Sequence, residues 1–217
     1  MKKKSTARRT AYLLIAAVVA VGVFAARGPI LRSAGGLLLT SNAPADPAGK
    51  VDVIVIALDA GAAGILEAAD LVSSGVSERV AVFTDPLSAA EKEFLRRGLP
   101  REDAGARTTR QLQALGVSAV EVIARAVDGS QQAADELPSW LHERGYRSAV
   151  LVVSADHSRR LQRMVHRSMK GRDAEVVVRV ARYSSFRPET WWTTRDGLRT
   201  GIIELQKLLL DVIQHPL

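Results

Sequence analysis

The chain has 217 residues, 47% apolar and 24% charged, which gives one ordinary domain plus an appendage and excludes wholesale disorder. It holds no cysteine, which excludes disulfides, thiolate metal sites and cysteine nucleophiles. The formal charge of +7 comes from seven cations ahead of the first acid, Asp46; beyond them 23 basic residues face 23 acidic ones, which argues against a nucleic-acid surface.

Lys2, Lys3, Lys4, Arg8 and Arg9 make residues 1–10 a basic tail, followed by the uncharged run Ala11–Ala26 and then Arg27. Sixteen helical residues reach about 24 Å, a little short of the ~30 Å hydrocarbon core, with Tyr12 and a snorkelling Arg27 at the two ends. The pattern predicts a transmembrane anchor over 11–27, spanning the cytoplasmic membrane once. The basic tail would lie inside and the main domain outside. A cleaved signal peptide competes with this reading, with Val23-Phe24-Ala25 or Phe24-Ala25-Ala26 ahead of the cut. Residues 28–50 read as a linker broken by Gly35-Gly36 and the Pro44–Pro47 stretch, and residues 51–217 as the α/β domain.

Val51–Leu58 is a near-continuous β-branched run of the kind buried on both faces of a parallel sheet. A helix follows to Ser74 and stops at Gly75. Arg79–Thr84 is the next strand, and Ser88 with Glu91 has capping-box spacing ahead of a helix ending at Gly98. Thr108–Leu115 reads as a short helix, Ala119–Ile123 as a strand, Ser130–Arg144 as a helix and Ser148–Ser154 as a strand. His157–Lys170 is helical, Ala174–Ala181 extended, and Leu198–Ile213 closes the chain as a helix. Alternating strands and helices imply right-handed crossovers. The expected fold class is therefore three-layer, Rossmann-like α/β, a mostly parallel sheet with helices on both faces, preceded by the one N-terminal transmembrane helix.

In such sheets ligands bind outside the carboxyl ends of the strands, near helix N-termini. Those loops hold Asp59-Ala60-Gly61-Ala62-Ala63-Gly64, Thr84-Asp85-Pro86, Asp128-Gly129-Ser130-Gln131-Gln132 and Ser154-Ala155-Asp156-His157. Asp59, Asp85, Asp128 and Asp156 could line one edge as a Mg²⁺ or acid/base set, although aspartate is favoured at these turns for backbone reasons alone. No metal ligands are assigned. The first loop has one glycine fewer than a dinucleotide fingerprint and lacks the acidic residue expected at the ribose position. His157, Arg160, Arg163 or Arg167, and Lys170 form a cationic stripe starting at a helix N-terminus, a setting suited to a phosphate or other anion. A solvated helix face is the plainer account of its later members. No G-x-S-x-G elbow, P-loop or H-E-x-x-H motif is present.

The basic tail, the apolar run, the first strand Val51-Asp52-Val53-Ile54-Val55-Ile56, and Ser154-x-x-His157-x-x-Arg160 together resemble the SanA/YdcF/ElyC-like family of bacterial envelope-associated proteins. Trp191-Trp192, Arg195, Glu204 and Lys207 are similar to that family's C-terminal pattern. Gln132 and Ala133 stand where the family carries a Glu-Asn pair, and the first two loops lack its glycine-rich turns, so the chain looks like a divergent member. The resemblance implies a membrane-anchored extracytoplasmic domain binding a small anionic, phosphate-bearing ligand in cell-envelope or peptidoglycan-precursor metabolism. Its alternatives are an inert module contacting other envelope proteins, or a metal-assisted hydrolase or transferase. The candidate ligand-binding residues are Asp59, Gly61, Ser130, Gln132, Ser154, His157, Arg160 and Trp192; Asp59, Asp85 and His157 are the catalytic candidates. No cofactor is assigned. Glu204, on an otherwise apolar helix, needs a cation such as Arg195 or Arg160.

Overall fold

The structure is a computed structural model and describes residues 27–40, 49–100 and 103–216. A helix covers 27–36 (α1). The remaining elements are β1 (Val53–Ile56), α2 (Gly61–Ser73), β2 (Arg79–Phe83), α3 (Ala89–Arg96), α4 (Ala104–Ala114), β3 (Ala119–Ile123), α5 (Ser130–Arg144), β4 (Ser148–Val153), α6 (Ser158–Met169), β5 (Glu175–Val180) and α7 (Arg195–Gln214). Single 3-10 turns at Leu58–Ala60, Ala155–His157 and Trp191–Thr193 precede α2, α6 and α7.

The five strands lie in the order β3-β2-β1-β4-β5 and every neighbouring pair is parallel. Val55 is in register with Ala81 on one side and Leu151 on the other, so β1 and β4 form the centre. That explains their composition: every residue of β1 is buried, and such a strand has no polar face to show. Crossovers toward β3 carry α2 and α4, which touch each other; crossovers toward β5 carry α5 and α6, likewise in contact. Right-handed connections put these pairs on opposite faces, giving the three layers expected from the sequence. Strand order reverses between β1 and β4, which opens a crevice at their carboxyl ends.

Local chemistry sets the boundaries. Ser88 and Glu91 make the reciprocal capping box that opens α3. Helix α4 starts earlier than the apolar spacing suggests because Asp103 caps it through Gly105 N–H. Gly145 ends α5 in the left-handed region, φ 71°.

Among the described residues, no helix is long and apolar enough to cross a membrane. This corrects the expected single-pass membrane protein. Residues 11–26 of the predicted span lie outside the described residues, and Arg27 belongs to a helix that docks on the folded body. Leu31 and Ala34 of α1, together with buried Leu38, join Ala155, Phe186, Trp191 and Leu208 in a second apolar cluster beside the main core. Trp191 Nε1–H donates to Leu31 O at 2.7 Å. Its indole lies against Gly35 and Gly201, positions where any side chain would collide with the ring. Trp192 meets Trp191 edge-on, centroids 6.2 Å apart. The stretch read as a linker thus carries a docked helix and a buried leucine.

The chain then runs across the start of α6. Leu38 O accepts from Arg159 N–H at 3.0 Å and from Ser158 Oγ at 3.3 Å, and Leu39 O accepts from Arg159 Nε at 2.9 Å. Thr40 N–H donates to Ser158 Oγ at 3.0 Å, and Thr40 Oγ1 bonds Gln162. On the other side of α6 the arginines face α7: Arg160 pairs with Glu204, while Arg163 and Arg167 share Asp211.

Candidate functional site

The crevice at the β1/β4 switch point is built from two 3-10 turns facing one another. The first aims Asp59 over the sheet edge; the second brings Asp156 and His157 off β4. His157 is only 2% exposed. Its Nδ1 lies 3.2 Å from Asp156 Oδ2. A carboxylate only accepts, so Nδ1 is the donor in this contact. Nε2 sits 3.6 Å from Asp59 Oδ2, too far for a hydrogen bond, and is buried with no hydrogen-bond partner. Ser130, the first residue of α5, donates to the same Asp59 Oδ2 at 2.8 Å. Three elements distant in sequence therefore converge on one carboxylate oxygen.

Behind His157, the Asp156 carboxylate also accepts from Ser154 Oγ, and Ser154 Oγ lies 3.2 Å from Ser184 Oγ. Ser184 Oγ accepts from Ala155 N–H, also at 3.2 Å. Burial pushes the Asp156 carboxyl up, but the hydrogen bonds from His157 and Ser154 and the nearby imidazole outweigh it and hold it below its ordinary value. Asp156 is thus kept ionised as the group that orients the ring.

The loop after β1 keeps two of the features that let backbone approach a phosphate. Gly61 opens α2 at φ +53° with open space where a side chain would project. Gly64 fits tightly: a Cβ there would collide with Ala60 Cβ and Ile56 Cγ2, so this glycine lets α2 settle on the sheet. No side chain caps α2, which leaves its first amides for a ligand or solvent. Beside Gly61 a cleft of about 230 Å³ is floored by Ile56, Ala57, Val82 and Phe83 and rimmed by Asp85 and Thr108.

The other predicted residues are placed elsewhere. Arg160 is buried, its Nε and Nη2 on Glu204 Oε2 at 3.0 and 2.9 Å, and Lys207 Nζ takes Glu204 Oε1 at 2.7 Å. The first free amide of α6 is already bonded to Leu38 O. Neither the guanidinium nor that helix start is open to an anion, and Arg163 and Arg167 are interhelical ion pairs where a solvated face was expected. Gln132 Oε1 accepts from Asp128 N–H at 2.8 Å and serves the β3–α5 turn. Trp192 packs in the second cluster. Asp128 is exposed. Among the described residues no three His, Asp or Glu side chains are grouped to hold a metal ion, so the four edge carboxylates do not form a cation site. Sequence reasoning missed Ser184, whose serine in a loop carries no pattern, and the packing role of Gly64, which the incomplete glycine fingerprint obscured.

No family model matches the chain, and no curated protein matches it. One solved structure does: HcgE from Methanothermobacter marburgensis, with guanylylpyridinol and ATP bound. It is 16% identical over 76% of this chain and 100% of that one, with a TM-score of 0.32. A likeness of that size carries no argument about this chain.

Proposed function

We propose that the chain binds a small phosphate-bearing molecule across the carboxyl edge of the sheet. The phosphate would sit over Gly61 at the open start of α2, within reach of His157, and a ring or apolar portion would enter the cleft between β1 and β2. The observation that carries this reading is His157 Nε2, a buried ring nitrogen held in place from behind and left without a hydrogen-bond partner. A buried polar atom without a partner costs about 1–3 kcal/mol, a cost that a ligand offsets when it binds. A phosphate oxygen would accept from an Nε2–H while Nδ1 stays on Asp156. Ser130 and Asp59 then face a ligand hydroxyl. The resemblance to the SanA/YdcF/ElyC-like family supports the same ligand class, a phosphate-bearing precursor of the cell envelope.

Thermal-shift and calorimetric titration of the full chain with ADP, undecaprenyl phosphate, inorganic phosphate and S-adenosylmethionine test the reading. A phosphate-bearing probe at ~100 times its Kd adds about 2.7 kcal/mol, which is several degrees in Tm. His157→Gln should weaken that probe at least tenfold while the domain stays folded. A panel without a shift, or a shift that His157→Gln leaves unchanged, overturns it.

A further inference from the structure

Helix α7 is turned the opposite way from an ordinary surface helix. Its inward face holds Gly201, Glu204, Leu208 and Asp211, with both carboxylates paired to α6 arginines. Its outward face is apolar. Leu198, Ile202, Leu205, Leu209 and Val212 recur at alternating four- and three-residue steps, the spacing of a coiled-coil seam, with Ile213 beside them. Ile203 and Leu210 widen the stripe, and all of these except half-buried Leu205 are between 38% and 65% exposed. The stripe leaves on the order of 700 Å² of apolar surface on one helix, above the ~300–600 Å² of a typical monomer's largest patch and close to the ~800 Å² per partner of a stable interface.

We infer that this face is where a second copy of the chain docks, α7 against α7 about a two-fold axis, through the exposed side chains beside Leu205, which itself leans on the second apolar cluster. Two α7 helices related by a two-fold axis would set the same stripe against itself, as an isologous contact requires. The residues flanking it include Arg199 and Gln206, which set no row of like charge against its copy. The acidic side chains Glu204 and Asp211 lie on the inward face, paired to α6 arginines and away from the stripe. The site at the β1/β4 crevice plays no part in this inference.

Sedimentation equilibrium of the full chain in detergent-free buffer tests it. The expected result is a species of twice the chain mass at micromolar concentration. Leu209→Glu and, separately, Ile202→Glu should each raise the dissociation constant at least a hundredfold with unchanged circular dichroism, since both side chains stand in solvent in the single chain. A chain that stays monomeric at 100 µM overturns the inference. If hydrogen exchange then shows the stripe protected, its cover is the chain's own uncharged 11–26 run. A dimer that survives both substitutions equally places the interface elsewhere.

Discussion

Two ionic clusters, each built on one buried side chain, differ in whether that side chain's hydrogen bonds are complete. At the β5–α2 corner Glu67, wholly buried, accepts from Arg179 Nε at 3.1 Å, from Arg182 N–H at 2.9 Å and from Arg182 Nε at 3.0 Å. Asp70 adds a bond from Arg182 Nη2 at 2.9 Å and one from the Tyr183 hydroxyl at 3.0 Å. At the β1/β4 crevice His157 is nearly as buried, yet Nε2 has no partner. The first cluster is closed and ties the edge strand to α2. The second is complete on one side and open on the other. Burial alone does not separate a structural polar core from a binding site; a hydrogen-bonding position left open at a strand end does.

The largest expected effect breaks the closed cluster. Glu67→Ala removes the buried carboxylate shared by Arg179 and Arg182, Arg182 keeping Asp70, and should cost about 3 kcal/mol in denaturant unfolding, with ligand affinity unchanged in the molecules still folded. A cost under ~1 kcal/mol would show that the corner is not a structural lock.

The next effect is set by pH. The carboxyls of Asp156 and Asp211 are both lower in the folded chain than their ordinary value, because hydrogen bonds and cations outweigh burial. A lowered folded pKa means stability is fully present above the unfolded pKa and is lost as pH falls through the folded one. Urea unfolding should therefore be level from neutrality down to the ordinary aspartate range and weaken only below it. Asp211→Asn should flatten that acid limb and cost about 2 kcal/mol at neutral pH. An acid limb that Asp211→Asn leaves unaltered contradicts the assignment.

The smallest effect sharpens the open cluster. Ser184→Ala removes the acceptor of Ala155 N–H and the neighbour of Ser154, so it should cost about 1 kcal/mol of stability. Phosphate-probe affinity should fall only a few-fold, against the tenfold or more of His157→Gln. Equal losses from both would mean that the ring acts only through packing.

The sheet was legible because its central strands have no polar face to confuse the pattern: Val53-Ile54-Val55-Ile56 reads as buried strand in any context. Ser88 and Glu91 announced α3 for a similarly local reason. The position of His157 was legible too, since the residues that follow a central strand must emerge at the edge. Arg160 was legible in part: the cost of burying Glu204 named Arg195 or Arg160 as its partner, and the structure gives Arg160, but nothing local told that this guanidinium was aimed at another helix and not at a ligand. The span expected over 11–27 rested on the basic tail, the uncharged run and its flanking Tyr12 and Arg27; only Arg27 of it is described, in α1, which docks through Leu31 and Ala34. The 38–40 crossing had no signature at all, because most of its bonds come from backbone groups every residue possesses.

That crossing has a mechanical consequence. Leu38, Leu39 and Thr40 are stitched to Ser158, Arg159 and Gln162, and Ser158 and Arg159 are the two residues that follow His157. A pull on the chain ahead of the domain would be felt first where α1 meets Trp191 and next at the helix start beside the imidazole, before any strand of the sheet bears load. Tension and ligand occupancy would then act on the same few atoms, so whatever holds the N-terminal end also sets how firmly His157 is aimed.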